Sequence, residues 1–172
     1  MLVKKNPLDI GSEHFLIEAR FKLKSEAGDF AFTIENKKIL WQHTAELLSN
    51  NITEKLEMFK ITKPIAVKCD LIGGFNVKGD PLIRVNAWID NNTLVVPGAQ
   101  IDKCSFFGVF TNNNVKEKGY DDANSAIKLF NFKGNYAGIP VNMPSIFILN
   151  LEKPLAVGSF NSQFDVARLR QL

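Results

Sequence analysis

Trp88 is the residue of this chain whose type and setting point most directly to chemistry. Apolar and polar residues alternate in steps of two over residues 82–90, which predicts a strand with one buried face. Trp88 falls on the other face, together with Arg84 and Asn86. An exposed indole can stack on a nucleic-acid base while a neighbouring guanidinium contacts a phosphate. The alternative is a structural tryptophan that caps the edge of a barrel or covers a helix.

Other basic and aromatic residues are candidates for the same surface. Three lysines on predicted strands could be gathered by one sheet face, and three residues belong to a long loop over 111–125. A basic loop with an aromatic residue fits strand capture, although a merely solvated loop fits nearly as well. The candidates after Arg84 and Trp88 are therefore Lys68, Lys103, Lys128, Lys116, Lys118 and Tyr120. Arg20 and Lys22, on the polar face of an early strand, are weaker candidates.

Catalytic and cofactor motifs are missing from the sequence. It has no nucleophile elbow, no phosphate-binding loop, no zinc-protease motif and no EF-hand loop. Its two cysteines, Cys69 and Cys104, and its two histidines, His14 and His43, lack the spacing of a zinc site. We therefore expect buried free thiols, no metal, no cofactor and no enzymatic activity.

Length and charge set the broad class. With 172 residues the chain is long enough for one domain with a real core, which we place at 1–160, followed by a flexible tail over 161–172. The formal net charge of +3 is too mild to indicate a nucleic-acid binder, so any basic surface must come from clustering. Neither a signal peptide nor an apolar run long enough for a membrane span is present, which favours the cytoplasm.

The elements that must position these residues are mostly strands. Alternation predicts a hairpin of 14–24 with 30–34, and turn residues separate the later runs. Further strands are predicted over 65–71, 82–90, 93–96, 101–111, 126–133 and 145–151. A turn is expected at 90–92, and 134–144 is expected to join the last two strands. The fold class is mainly β (α+β).

One helix interrupts the strands. Apolar residues between Leu40 and Phe59 recur at spacings of three and four, which predicts an amphipathic helix inserted between early strands. Leu48 and Leu56 should then be buried against the sheet. Asn50 and Asn51 weaken the pattern and could divide the helix into two pieces.

The order of these parts resembles one known family. The strand over 30–34 precedes a helix, 97–101 leads into the apolar segment 106–112, and 145–155 is followed by Phe164 and Asp165. This layout is similar to that of the single-stranded DNA-binding proteins of tailed bacteriophages, the OB-fold type with an inserted helix. The resemblance implies an OB-like β-barrel that binds single-stranded DNA in phage DNA replication or recombination within the host cytoplasm. It also implies replication proteins as further partners, and a homo-oligomer is left open.

The end of the chain departs from that family. Such phage proteins often end in an acidic, aromatic tail that recruits replication partners, whereas residues 164–172 contain one acid and two arginines. Partner recruitment is therefore expected to be absent or to work differently.

Two other functions fit the same pattern of strands. In a viral structural protein, such as a capsid or tail β-sandwich, the strands would bury an assembly interface. In a carbohydrate-binding sandwich, Trp88 would stack on a sugar ring. The salt dependence of binding separates these hypotheses, because the affinity for phosphates falls steeply as salt rises and the affinity of sugar stacking hardly changes.

Overall fold

The protein is mainly β, as the alternating pattern predicts. The computed structural model describes residues 1–22, 28–46, 59–75 and 78–164, in which ten strands form one sheet and one short helix, α1, spans Trp41–Glu46. The strands are β1 (Leu2–Ile10), β2 (Glu13–Lys22), β3 (Asp29–Ile39), β4 (Lys60–Ile61), β5 (Ile65–Gly74), β6 (Leu82–Val96), β7 (Ala99–Thr111), β8 (Ala126–Tyr136), β9 (Ile139–Leu149) and β10 (Leu155–Gly158).

The sheet is an open antiparallel meander. Its strand order is β1-β2-β3-β5-β6-β7-β8-β9-β10, and the short β4 pairs with the far end of β6. Closure into a barrel requires the two edge strands to pair. Across the ranges described, β1 pairs only with β2 and β10 pairs only with β9. The OB-like barrel expected from the sequence is therefore not confirmed.

Several predicted strands are confirmed with modest changes of boundary. The predicted hairpin is β2 with β3, in which Ile17 is paired with Ile34. Strand β1 was not predicted, and neither was β10. The segment 134–144 is not a connection, because β8 and β9 continue through it to a two-residue turn at Ala137 (φ 48°) and Gly138 (φ 79°). Positive φ at both turn residues is typical of tight hairpins.

The predicted turn at 90–92 is wrong, because Asn92 is buried inside one continuous strand. Its exposed fraction is 1%. The Oδ1 atom accepts hydrogen bonds from the backbone N–H groups of Lys63 and Thr93, both at 2.9 Å, and the Nδ2 group donates to the Lys63 carbonyl at 3.0 Å. The amide therefore joins β6 to the segment that follows β4. Residues 82–90 and 93–96 belong to the same strand, with a register shift between Ile89 and Asn92.

The helix begins close to its predicted start. Trp41 opens α1, packs against the core, and donates from Nε1 to the carbonyl of Phe59 at 2.6 Å. Leu40 lies just before the helix and is 38% exposed. The rest of the predicted helix, with Leu48 and Leu56, lies outside the described residues. No helix within the described ranges has the length and hydropathy needed to cross a bilayer.

The two faces of the sheet differ. Successive side chains of a strand point to opposite faces. We call the face that carries Trp88 the front face and the opposite one the back face. The core lies on the back face, where Phe132 is 2% exposed and stacks on Phe106 with ring centroids 5.3 Å apart. The core cluster consists of Phe15, Ile39, Ile65, Ile89, Leu94, Cys104, Phe132 and Val141.

Both cysteines are free thiols, as predicted. Cys104 is buried and Cys69 is half-buried. Burial raises the pKa of Cys69 to about 11, with a smaller contribution from Asp70, so this thiol stays protonated at neutral pH.

The end of the chain stays paired beyond Val157, where the sequence becomes polar. Asn161 forms an isolated bridge with Asn142, and their backbone N–H and carbonyl groups exchange hydrogen bonds of 3.0 and 2.8 Å. Residues 165–172, which make up most of the expected tail, lie outside the described ranges.

Candidate functional site

Four aromatic side chains lie beside one another on the front face of β6, β7, β8 and β9. Trp88 is paired with Phe107, and Phe107 is paired with Phe130. Phe147 lies diagonally across from Phe130 on β9. The ring centroids are separated by 5.3 Å, 6.2 Å and 5.8 Å along this series. We call these four residues the aromatic row.

Tight turns set the register that assembles the row. Pro97 and Gly98 (φ 78°) close the β6–β7 hairpin, a combination that suits a type II turn. From this turn towards Trp88, the pairing register of β6 with β7 shifts by one residue at Asn92. It is restored before Trp88 pairs with Phe107. The turn at 137–138 fixes β8 against β9 in the same way.

The outer side of Trp88 is open. On β5 the residue directly opposite Trp88 is Ala66, whose methyl group covers little of the indole. Phe107 packs against Trp88 from the β7 side, with an angle of 38° between the rings. Trp88 is 47% exposed, which leaves room for a flat group to pack on the indole above Ala66.

Basic residues flank the aromatic row on the same face. A cross-strand series directly beside it contains Lys68, Asn86, Val109 and Lys128, each paired with the next. Arg84 lies one step further along β6, opposite Thr111. The structure therefore brings together four of the residues singled out from the sequence, namely Lys68, Arg84, Trp88 and Lys128.

The charges of these cations are not equally available. Lys68 lies 3.8 Å from Glu35, whose carboxylate also accepts a hydrogen bond from Lys5. That hydrogen bond, with the charges of Lys5 and Lys68, holds the pKa of Glu35 below its usual range, so Glu35 stays ionised and partly neutralises Lys68. In the described part of the chain, neither Arg84 nor Lys128 has an ion-pair partner.

Carboxylates near the row are engaged by neutral donors. Asp70, opposite Arg84, accepts a hydrogen bond from the Thr33 hydroxyl at 2.8 Å. Asp90, beyond Trp88 on β6, accepts one from the Ser105 hydroxyl at 3.1 Å. The front face is thus of mixed charge, and Arg84 and Lys128 are its available cations beside the aromatic row.

A shallow groove lies at the other end of the front face. Arg20, Lys22 and Tyr120 are among the residues that line it. Arg20 is bound by Glu18, with Nη2 and Oε1 2.8 Å apart, and Tyr120 is 41% exposed. The groove is therefore a secondary candidate.

Two buried asparagines hold the long loop that carries Tyr120. Asn112 donates from Nδ2 to the carbonyls of Pro81 and Tyr120, at 2.8 and 3.3 Å. Asn124 ends a short 3-10 turn, Asp122–Asn124, and its Nδ2 donates to the carbonyls of Val115 and Gly119, at 2.9 and 2.6 Å. These bonds fix where the loop presents Tyr120.

Three candidate lysines are placed apart from the aromatic row. Lys103 lies at a bulge of β7 with φ of 50°, outside the paired register. Lys116 and Lys118 are exposed on the loop and, unlike Tyr120, do not line the groove.

Sequence reasoning missed four residues of the site. Phe107, Phe130 and Phe147 sit in strands with apolar residues on both faces, so alternation does not distinguish them from core residues. Ala66 carries no signal of its own. The turn at Pro97 and Gly98 could have identified Phe107 from the sequence. In a hairpin closed by this two-residue turn, Phe107 lies opposite Trp88.

Histidines and carboxylates pair elsewhere. His14 lies 2.6 Å from Asp9, whose hydrogen bond raises the pKa of His14, and His43 lies 2.6 Å from Glu13. Among the described residues, no three His, Cys, Asp or Glu side chains are arranged to hold a metal ion.

The fold and site together define an open antiparallel sheet whose front face carries an aromatic row beside cations and carboxylates. Comparison with protein-family models, curated proteins and solved structures found no match for this chain. The resemblance to phage single-stranded DNA-binding proteins therefore stays a prediction.

Proposed function

We propose that this protein is a non-catalytic binder of single-stranded DNA that uses the front face of its sheet. The observation that carries the proposal is the aromatic row with Lys68, Arg84 and Lys128 beside it. Aromatic side chains hold unpaired bases by stacking, and neighbouring cations neutralise the phosphates between them.

The geometry suggests how one strand would lie. A base stacks on the open side of Trp88 above Ala66, where the indole is accessible. The adjoining phosphates then lie over the cross-strand series that begins with Lys68 and ends with Lys128, and Arg84 adds a further contact. Stacking on a ring requires a base whose face is free, which favours single strands, and it tolerates any sequence because every base has such a face.

An open sheet is sufficient for this function. Sheet-based RNA-binding modules stack about two or three bases on aromatic residues of one open face. The OB-like closure expected from the sequence is therefore a separate proposal on which binding does not depend. A role in bacteriophage DNA replication or recombination, in the host cytoplasm and with replication proteins as partners, rests on the resemblance alone.

The first prediction concerns salt. If Lys68, Arg84 and Lys128 each neutralise one phosphate, affinity for oligo-dT should fall about ten- to twenty-fold between roughly 50 and 200 mM salt, because each phosphate contributes about 0.7 to the logarithmic slope. Fluorescence anisotropy of a labelled oligonucleotide at four salt concentrations measures this slope.

Matched variants test whether the salt dependence of binding comes from cations of the front face. Arg84→Gln and Lys128→Gln should each reduce it by about 0.7, whereas Lys116→Gln, which removes an exposed loop cation, should leave it unchanged. Binding of oligo-dT that ignores salt, or no binding at low salt, would end the proposal.

A second prediction tests the open side of Trp88. Ala66→Leu places a larger side chain directly opposite the indole and should lower oligonucleotide affinity about five-fold or more, because it occupies the space in which a base would stack. Ala66→Ser keeps the side chain small and should bind like the native protein. Equal affinities of the two variants, both folded by circular dichroism, would show that no base stacks there.

A further inference from the structure

The two edges of the open sheet are protected to different degrees. An edge strand presents unpaired backbone N–H and carbonyl groups, and proteins guard such edges with charges, proline and bulges. Strand β1 has all three, since it carries Lys4 and Lys5, contains Pro7, and changes register between Val3 and Asn6. Its exposed apolar residues, such as Leu8, are interspersed with these features.

Strand β10 itself carries neither a charge nor a proline, and its four residues pair with β9 in one register. Residues 155–164 contain neither a charged residue nor a proline, in a chain of which 23% is charged. Leu155 is 60% exposed, Val157 49% and Phe160 57%. The bridge of Asn161 to Asn142 continues this neutral segment alongside β9, after a one-residue change of register that follows Gly158.

The absence of charge points to a particular occupant. When a strand pairs antiparallel with a second copy of itself, residues near the two-fold axis lie opposite their own counterparts or close neighbours. A charged edge therefore opposes like charges in every register whose axis falls near them, as β1 would with the axis near Lys4 and Lys5. The neutral edge from Leu155 to Asn161 has no such penalty.

We infer that β10 is a self-association edge, through which a second copy of this chain adds to the sheet by antiparallel β10–β10 pairing. The pairing is isologous, so it closes at a dimer, whereas β10 on β1 of another copy would continue without limit. A contact this short buries less surface than a standard interface, so the dimer is weak and depends on protein concentration.

Dimerisation through β10 would extend the DNA-binding surface, and this consequence rests on the proposed function. A two-fold axis normal to an antiparallel sheet leaves both front faces on the same side. Phe147, at one end of the aromatic row, is paired with Val157 on β10. The rows of two copies would therefore approach each other across the joint, and one long strand of DNA could occupy both.

Sedimentation of the full chain without nucleic acid tests the association. The native protein should shift from monomer towards dimer as its concentration rises. Val157→Lys and Val157→Glu should each stay monomeric, because each sets like charges against each other across the axis. Leu8→Lys, on the β1 edge, should dimerise like the native chain.

Mixing the two Val157 variants gives the decisive result. An equimolar mixture of Val157→Lys and Val157→Glu should regain dimers, since opposite charges then meet across the joint. A native chain that stays monomeric, single Val157 variants that still dimerise, or a mixture that stays monomeric would each overturn the inference. So would a native dimer that depends on residues 165–172 and not on Val157. None of these results bears on DNA binding by the monomer, which the oligo-dT titration tests separately.

Discussion

Replacing Trp88 with alanine should lower the affinity for single-stranded DNA by about 1–3 kcal/mol, which is roughly a 5- to 150-fold change in Kd. The indole is 47% exposed, rests on Phe107, and faces Ala66 on its open side. Its loss removes the most accessible stacking surface of the aromatic row. Titration of labelled oligo-dT at low salt measures the change.

The fold should survive this substitution, because the core lies on the back face. Trp88→Phe should retain most of the affinity, since a smaller ring still stacks. Oligonucleotide should also quench the emission of Trp88 but not that of Trp41, which is half-buried and hydrogen-bonded to the Phe59 carbonyl. A folded Trp88→Ala protein with native affinity would disprove the stacking role, and an unfolded one would favour a structural tryptophan.

Replacing Phe132 with alanine should reduce the free energy of unfolding by about 3–5 kcal/mol. Phe132 is 2% exposed and stacks on Phe106, so its removal leaves a cavity that the surrounding strands cannot fill. Urea unfolding followed by circular dichroism measures the loss.

A matched variant separates burial from residue type. Phe160 is 57% exposed, and Phe160→Ala should change the stability of the monomer by less than about 0.5 kcal/mol. Measurement at low protein concentration keeps self-association out of the comparison. Similar losses of stability for the two variants would mean that Phe132 does not belong to a packed core on the back face.

The two adjacent phenylalanines of β7, Phe106 and Phe107, show why the sequence alone does not separate core residues from surface residues. Phe106 and Phe107 are adjacent, so alternation places them on opposite faces but does not say which face is covered. Phe106 packs in the core on Phe132, and Phe107 joins Trp88 on the front face. Only the neighbouring strands decide this, because burial depends on what packs above each face.

Asn92 is a second case. Asparagine between two other polar residues is typical of a turn, and the sequence predicts one there. The side chain instead satisfies backbone groups at Lys63, which lies far away in the sequence. A local pattern cannot reveal a partner that tertiary folding supplies.

The sequence alone determined the mainly β class, the β2–β3 hairpin, the start of α1 and the polar setting of Trp88, because each follows from local periodicity or turn chemistry. The tertiary structure decided the open sheet, the aromatic row and which cations lie beside Trp88. These depend on cross-strand register over several strands, where one shift at a bulge changes which side chains meet. This dependence on register explains why Lys128 lies beside the aromatic row and Lys103 does not.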